Sequence, residues 1–210
     1  MTISEQVAAL HAGRTEHDVF GAEQAALALQ RVTSTVALGD SFPDGDLMDA
    51  HGTPTSIAAV RAGRPAVVVF YRGAWCPYCN IALRTYREEL TDPLTRRGMV
   101  LVAVSPQTPD GSLTMAEKHD LEFPVLSDAG NQLARALGIM TEPSEAAREA
   151  QLSHGLDLAE ANADGTIGLP MPTVAIIDSD GLLVWIDIHP DYSTRTEPQQ
   201  VLSALAELNP

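Results

Sequence analysis

Apolar and polar positions along this chain fall into two kinds of run. Pro65-Ala66-Val67-Val68-Val69-Phe70-Tyr71 is continuously apolar and rich in β-branched residues, the pattern of a strand buried on both faces. In Asn80–Leu90 the period changes: Ala82, Tyr86 and Leu90 share one helical face with Leu83 beside them. Met99–Ser105 reads as a second buried strand. Pro106 and Pro109 then impose a loop, and Ser112 is placed to cap a helix through Leu121. Phe123–Ser127 is short and extended, with Pro124 marking an edge strand or a strand start. Asn131–Leu137 reads as a helix ended by Gly138. Thr173–Asp178 and Leu182–Ile188 flank Ser179-Asp180-Gly181, a hairpin signal. Thr196 with Gln199 resembles a capping box for a last helix carrying Val201, Leu202, Leu205 and Leu208.

Two regions stand outside this alternation. Residues 1–37 read as a helical arm, with Ser4 as N-cap and breaks near Gly13 and Gly21. The arm can pack on its own chain or on a partner subunit, which admits a homodimer. Residues 141–168, mixed acidic and alanine-rich, read as an insertion, helical from Ser144 to Gln151 and placed to cover a site; Glu160 and Asp164 are its candidate proton acceptors. Between arm and first strand, turn-rich segments at 39–43 and 49–54 frame a short hairpin before a helix at Ser56–Ala62. The order predicts an α/β domain over 38–210: a mixed sheet with helices on both faces, early strands parallel, late hairpin antiparallel.

Composition narrows the function. The formal charge of −15 opposes nucleic acid and anionic membranes as partners. No apolar run reaches the length of a membrane span, and the N-terminus, with Glu5, Arg14, Glu16 and Asp18, lacks the apolar core of a secretory signal. These features point to a cytoplasmic protein, in which a close cysteine pair is more often catalytic or metal-binding than structural. The two cysteines are Cys76 and Cys79. A disulfide closing so short a loop constrains the unfolded chain little, so a structural role offers little stability. Zinc needs further ligands, and the six histidines show no paired spacing. Redox chemistry is left, and it calls for no metal or organic cofactor because sulfur carries both electrons. The pair sits where strand gives way to helix, so Cys76 is expected to meet unpaired N–H groups and the positive helix end, both favouring a thiolate. Moving a thiol from ~8.5 to ~7 takes only about 2 kcal/mol. Arg72 is the candidate charge for stabilising the thiolate. Position at the helix terminus favours Cys76 as nucleophile.

Phe70-Tyr71-Arg72-Gly73-Ala74-Trp75-Cys76-Pro77-Tyr78-Cys79 resembles the peroxiredoxin-like branch of the alkyl hydroperoxide reductase/thiol-specific antioxidant family, within the thioredoxin-like fold. Ala103–Gln107, Phe123–Asp128, Leu169–Thr173 and the tail from Ile177 to Tyr192 carry the same resemblance, which covers about Leu38 to Leu208. It implies reduction of hydrogen peroxide or an organic hydroperoxide through a Cys76–Cys79 disulfide, recycled by a thioredoxin- or glutaredoxin-type donor. In thioredoxin logic Cys76 is the nucleophile; in peroxiredoxin logic Cys79 meets the peroxide and Cys76 resolves it. The resemblance also makes Pro172 a cis-proline facing the dithiol, with the backbone of Met171 exposed to pair with a bound peptide or thiol. Trp75, Pro77 and Tyr78 become candidate contacts for substrate or partner, Trp75 alternatively packing on the helix and Tyr78 shielding the inner sulfur. Several positions depart from the family pattern. Cys76 and Arg72 stand where a Thr or Ser and a Pro would precede a peroxidatic Cys79, and the usual activating arginine falls around Pro172. These departures leave a dithiol–disulfide oxidoreductase and a redox-sensing interaction protein as alternatives.

Overall fold

The computed structural model describes residues 1–12 and 19–208. Helices α1 (Ile3–His11) and α2 (Val19–Ala28) form the arm, followed by strands β1 (Leu47–Met48) and β2 (Pro54–Thr55) and helix α3 (Ile57–Arg61). Then come β3 (Ala66–Phe70), α4 (Pro77–Arg96), β4 (Val100–Ser105), α5 (Pro109–Lys118), β5 (Val125–Ser127) and α6 (Gln132–Ala136). The remainder is β6 (Met140–Thr141), α7 (Glu145–Ser153), α8 (Leu158–Ala161), β7 (Leu169–Pro170), β8 (Thr173–Ile177), β9 (Leu183–Ile188) and α9 (Pro198–Leu208). Seven strands form one mixed sheet in the order β2-β1-β5-β4-β3-β8-β9, while β6 and β7 pair as a separate ribbon. As the pattern predicts, β3, β4 and β5 run parallel and the β8–β9 hairpin is antiparallel.

Strand pleating splits the apolar runs into two cores. Val67, Val69 and Tyr71 join Leu101, Ala103, Val174 and Ile176 on one face, against α1, α4, α5 and α9. Ala66, Val68 and Phe70 join Val100, Val102 and Val104 on the other, against α3 and α6. Continuous hydrophobicity in β3 is therefore required, since alternate residues serve opposite helical layers. Both cysteines belong to the first core, with Ile3 and Val7 of the arm.

Local expectations shift in several places. Pro124 stands just before the start of β5, as the strand-start reading has it, but β5 is interior rather than an edge, because β1 pairs on its far side at Met48↔Ser127. α5 begins at Pro109 rather than Ser112: proline at the first helical position needs no N–H partner there. Gly21 lies inside α2, and the break expected near Gly13 lies outside the described residues. α1 is capped by Thr2, not Ser4, in a reciprocal box with Glu5. Thr196 does not cap α9; its hydroxyl donates to Asp187 Oδ2 at 2.9 Å. Neighbouring Glu197 instead accepts from Ile3 N at 2.9 Å and Ser4 N at 2.8 Å, capping α1 from the far end of the chain.

Candidate active site

The segment 72–76 leaves β3 and turns sharply into α4. At Gly73, φ is +155°, and a Cβ there would lie 2.3 Å from Trp75 Nε1, so only glycine fits. The turn is pinned from two sides. Gln107, just past β4, accepts from Ala74 N at 2.7 Å, while Asn80 Nδ2 donates to Ala74 O at 2.8 Å and Cys76 O at 2.7 Å. His119 holds the other end of Asn80, Nε2 to Oδ1, at 2.6 Å. Cys76 is the N-cap of α4, Pro77 its first residue, and Cys79 lies in its first turn.

Both sulfurs are buried, but their surroundings differ. Cys79 Sγ accepts from Arg195 Nη2 at 3.1 Å and from the backbone N–H of Arg72 at 3.4 Å. Arg195 reaches Cys76 Sγ only at 3.9 Å. Burial alone pushes a thiol up. At Cys79 it is outweighed by the hydrogen bond from Cys76, the Arg195 charge and the Arg72 N–H, and the group is held well below its usual value. Burial and the neighbouring Cys79 push Cys76 well up. One thiolate paired with one thiol is the state these contacts favour.

Arg195 comes from the loop between β9 and α9. Its Nη1 donates to Tyr192 O and Thr194 O at 2.5 and 2.6 Å, and Tyr86 Oη of α4 ties the loop down through Thr196 O at 2.6 Å. Arg72, 3% exposed, stacks its guanidinium 3.8 Å from the Tyr192 ring centre and 5.1 Å from that of Trp75. Tyr78 is buried; its hydroxyl meets His11 Nε2 at 2.8 Å and Gln24 Nε2 at 3.1 Å, so both arm helices dock on the dithiol turn.

A sequence profile of the AhpC/TSA family matches residues 38–186, well over half of the chain. The chain belongs to the AhpC/TSA family. A putative peroxiredoxin of Mycobacterium tuberculosis is 34% identical over 110 residues, covering 52% of this chain and 69% of that protein. Peroxiredoxin Bcp of Escherichia coli is 29% identical over 106 residues, covering 50% of this chain and 67% of its own. The crystal structure of peroxidoxin BcpB from M. tuberculosis superposes with a TM-score of 0.64 at 20% identity, covering 83% of this chain and 99% of that one. The fold is thus the thioredoxin-like fold of peroxiredoxins.

Against that family frame, the sequence readings divide. Cys76, Cys79, Arg72, Trp75, Pro77 and Tyr78 come together around the dithiol turn. Cys76 is the N-cap of α4, but its Sγ makes no capping hydrogen bond to the helix N–H groups. Arg72 acts on Cys79 through its backbone N–H and, more weakly, through its charge, while the side chain that touches the sulfur belongs to Arg195, a residue sequence reasoning missed. No local pattern marks Arg195: it sits in a short polar loop, and only folding carries that loop to α4.

Met171 and Pro172 differ from what the resemblance implied. Every peptide bond described is trans, including the one before Pro172. Met171 is buried in the opposite core with Phe70. Its N–H donates to Ile139 O at 2.7 Å and its carbonyl accepts from Thr173 Oγ1 at 2.9 Å, so its N–H is not free to pair with a bound thiol or peptide. Asp164 is likewise engaged elsewhere, by Thr166 at 2.8 Å. Among the described residues, no group of acidic, His and Cys side chains is placed to hold a metal ion, and no helix is long and apolar enough to cross a membrane.

Proposed function

We propose that this protein is a thiol-dependent peroxidase in which Cys79 meets the peroxide and Cys76 resolves it. One observation carries the assignment: Cys79 Sγ receives both Arg195 and the Arg72 N–H, while the Cys76 thiol stays neutral within hydrogen-bond reach. The Cys79 thiolate attacks one oxygen of the hydroperoxide; the O–O bond breaks, the alkoxide or hydroxide leaves and takes a proton, and Cys79 becomes a sulfenic acid. Arg195 stabilises negative charge moving from sulfur to the departing oxygen. The Cys76 sulfur then displaces water, giving the Cys76–Cys79 disulfide, and an external thiol returns two electrons. The cytoplasm is a compartment that keeps thiol donors reduced.

The position normally filled by Thr or Ser is Cys76, so the resolving thiol stands where a hydroxyl would orient the peroxide. That substitution favours a second reading, dithiol–disulfide exchange with slow peroxide turnover. Stopped-flow oxidation of the reduced protein by hydrogen peroxide, followed through Trp75 and Trp185 fluorescence, separates the two. Peroxidase function predicts a second-order rate far above that of a free thiol; a free-thiol rate awards the site to disulfide exchange. Cys76→Ser is expected to lose catalytic turnover yet consume one equivalent of peroxide, and Cys79→Ser to lose both. The reverse outcome would exchange the two roles.

A further inference from the structure

A cavity of about 520 Å³ opens between the arm and α7 and ends on the dithiol turn. Cys76 lines it and Cys79 does not. Its size falls within the roughly 300–1,000 Å³ of small-molecule sites. Its walls hold buried polar atoms whose partners are missing. Arg72 Nε and Trp75 Nε1 are donors without an acceptor, and Gln151 Oε1, on a side chain 6% exposed, is an acceptor without a donor. Among the described residues no carboxylate pairs with Arg72. Glu23, the nearby acid on α2, is already taken by Tyr192 Oη at 2.7 Å and Ser144 N at 2.6 Å. Buried polar groups are nearly always satisfied, so these three, two on the dithiol turn and one on α7, mark places for ligand atoms.

The donor pair asks for a carboxylate, charge-assisted at Arg72, and Gln151 asks for an N–H. The Phe20 and Tyr192 rings supply apolar walls between them. Whatever enters meets the sulfur of Cys76, the member of the pair that stays protonated while Cys79 is the thiolate. That sulfur becomes reactive only in the disulfide, as the atom a thiol attacks.

We infer that the cavity is the reductant's docking site, and that the reductant is a low-molecular-weight, peptide-like thiol bearing a carboxylate and an amide N–H. The inference rests on the dithiol cycle proposed above and names its electron donor. The incoming thiolate attacks Cys76 Sγ, the Cys76–Cys79 bond breaks, and Cys79 leaves as the thiolate that Arg195 already stabilises. A leaving thiol of low basicity departs faster. A second molecule of the thiol attacks the outer sulfur of the mixed disulfide, releasing the oxidised thiol dimer, and Cys76 recovers a proton from water. Two thiols lose two electrons and the protein disulfide gains them.

The test starts from protein oxidised with diamide, so it does not depend on peroxide reactivity. Its reduction is followed against glutathione, glutathione diethyl ester, 2-mercaptoethanol and thioredoxin. The expected result is saturation with glutathione and a kcat/KM, corrected for thiol pKa, about tenfold or more above that of the ester, the loss of one charge-assisted contact. In Arg72→Gln the ratio of glutathione to ester collapses towards one. A linear, equal dependence on all the small thiols overturns the inference, as does a glutathione preference that Arg72→Gln leaves intact. Rapid reduction by thioredoxin with no saturation by glutathione assigns the donor to a protein and also overturns it. The peroxide oxidation rate of the reduced protein, measured separately, decides the peroxidase reading whatever the cavity does.

Discussion

Cys79 is fully buried, where an unpaired anion would be costly. What makes a thiolate tenable there is a guanidinium 3.1 Å away and a backbone N–H at 3.4 Å. The two arginines divide the site between them. Arg195 is locked to loop carbonyls and aimed at sulfur, whereas Arg72 lies flat on Tyr192 with its Nε unpaired. Removing the Arg195 charge is therefore expected to raise the Cys79 pKa. In Arg195→Gln, iodoacetamide alkylation should move its midpoint to higher pH, and peroxide oxidation should slow by about 10²-fold, the scale of one lost transition-state donor. An alkylation profile that does not move would remove Arg195 from the site. Of these residues, the cysteines and Arg72 were legible in sequence because their spacing in one short segment carries chemistry. Arg195 was not, because its partner Cys79 lies more than a hundred positions away.

Elements position the site by closing it from outside. α1 docks through Ile3 and Val7 on the core that holds the dithiol, and His11 at its end meets Tyr78. Its first N–H groups are satisfied by Glu197, which links the two ends of the described chain at the Arg195 loop. Burial opposes the charge of Glu197, but bonds from the Ser4 hydroxyl and the Ser4 and Ile3 N–H groups prevail, and its pKa lies below the usual 4.5. A depressed carboxyl contributes stability above its unfolded pKa and loses it as pH falls through the folded value. Glu197→Gln is thus expected to cost about 0.5–2 kcal/mol near neutrality, the range of a lost helix cap. The gap to wild type in urea unfolding should shrink on acidification below that unfolded value. A gap independent of pH would show that charge has no part in the capping. Helical periodicity reveals α1 as an element, but not which distant carboxylate ends it, since capping by a side chain outside the helix leaves no spacing to read.

Across the whole molecule, redox state and folding are linked through the same sulfur. The reduced fold favours a Cys79 thiolate that the unfolded chain forms only near its ordinary pKa of ~8.5, a pH-dependent stabilisation that the disulfide form lacks. The melting temperature of the reduced protein should gain on that of the disulfide form by about 2–4 °C for each kcal/mol of that linkage. The difference should widen as pH rises from the folded pKa of Cys79 towards ~8.5, then narrow as the unfolded chain also ionises Cys76, which the fold keeps protonated. A difference that stays constant across this range would mean that the thiolate is no more stable in the fold than in water. The sequence by itself determined the layered α/β order, the parallel and antiparallel strands and the place of the dithiol between β3 and α4. Those features follow from periodicity and turn chemistry, which act over a few residues. Only the tertiary structure decided that Arg195 faces Cys79, that Met171 turns to the opposite core, and that the arm and α7 wall a cavity on Cys76. These depend on which elements pack together: sheet order and the pleat set them, and no local stretch of chain encodes that geometry.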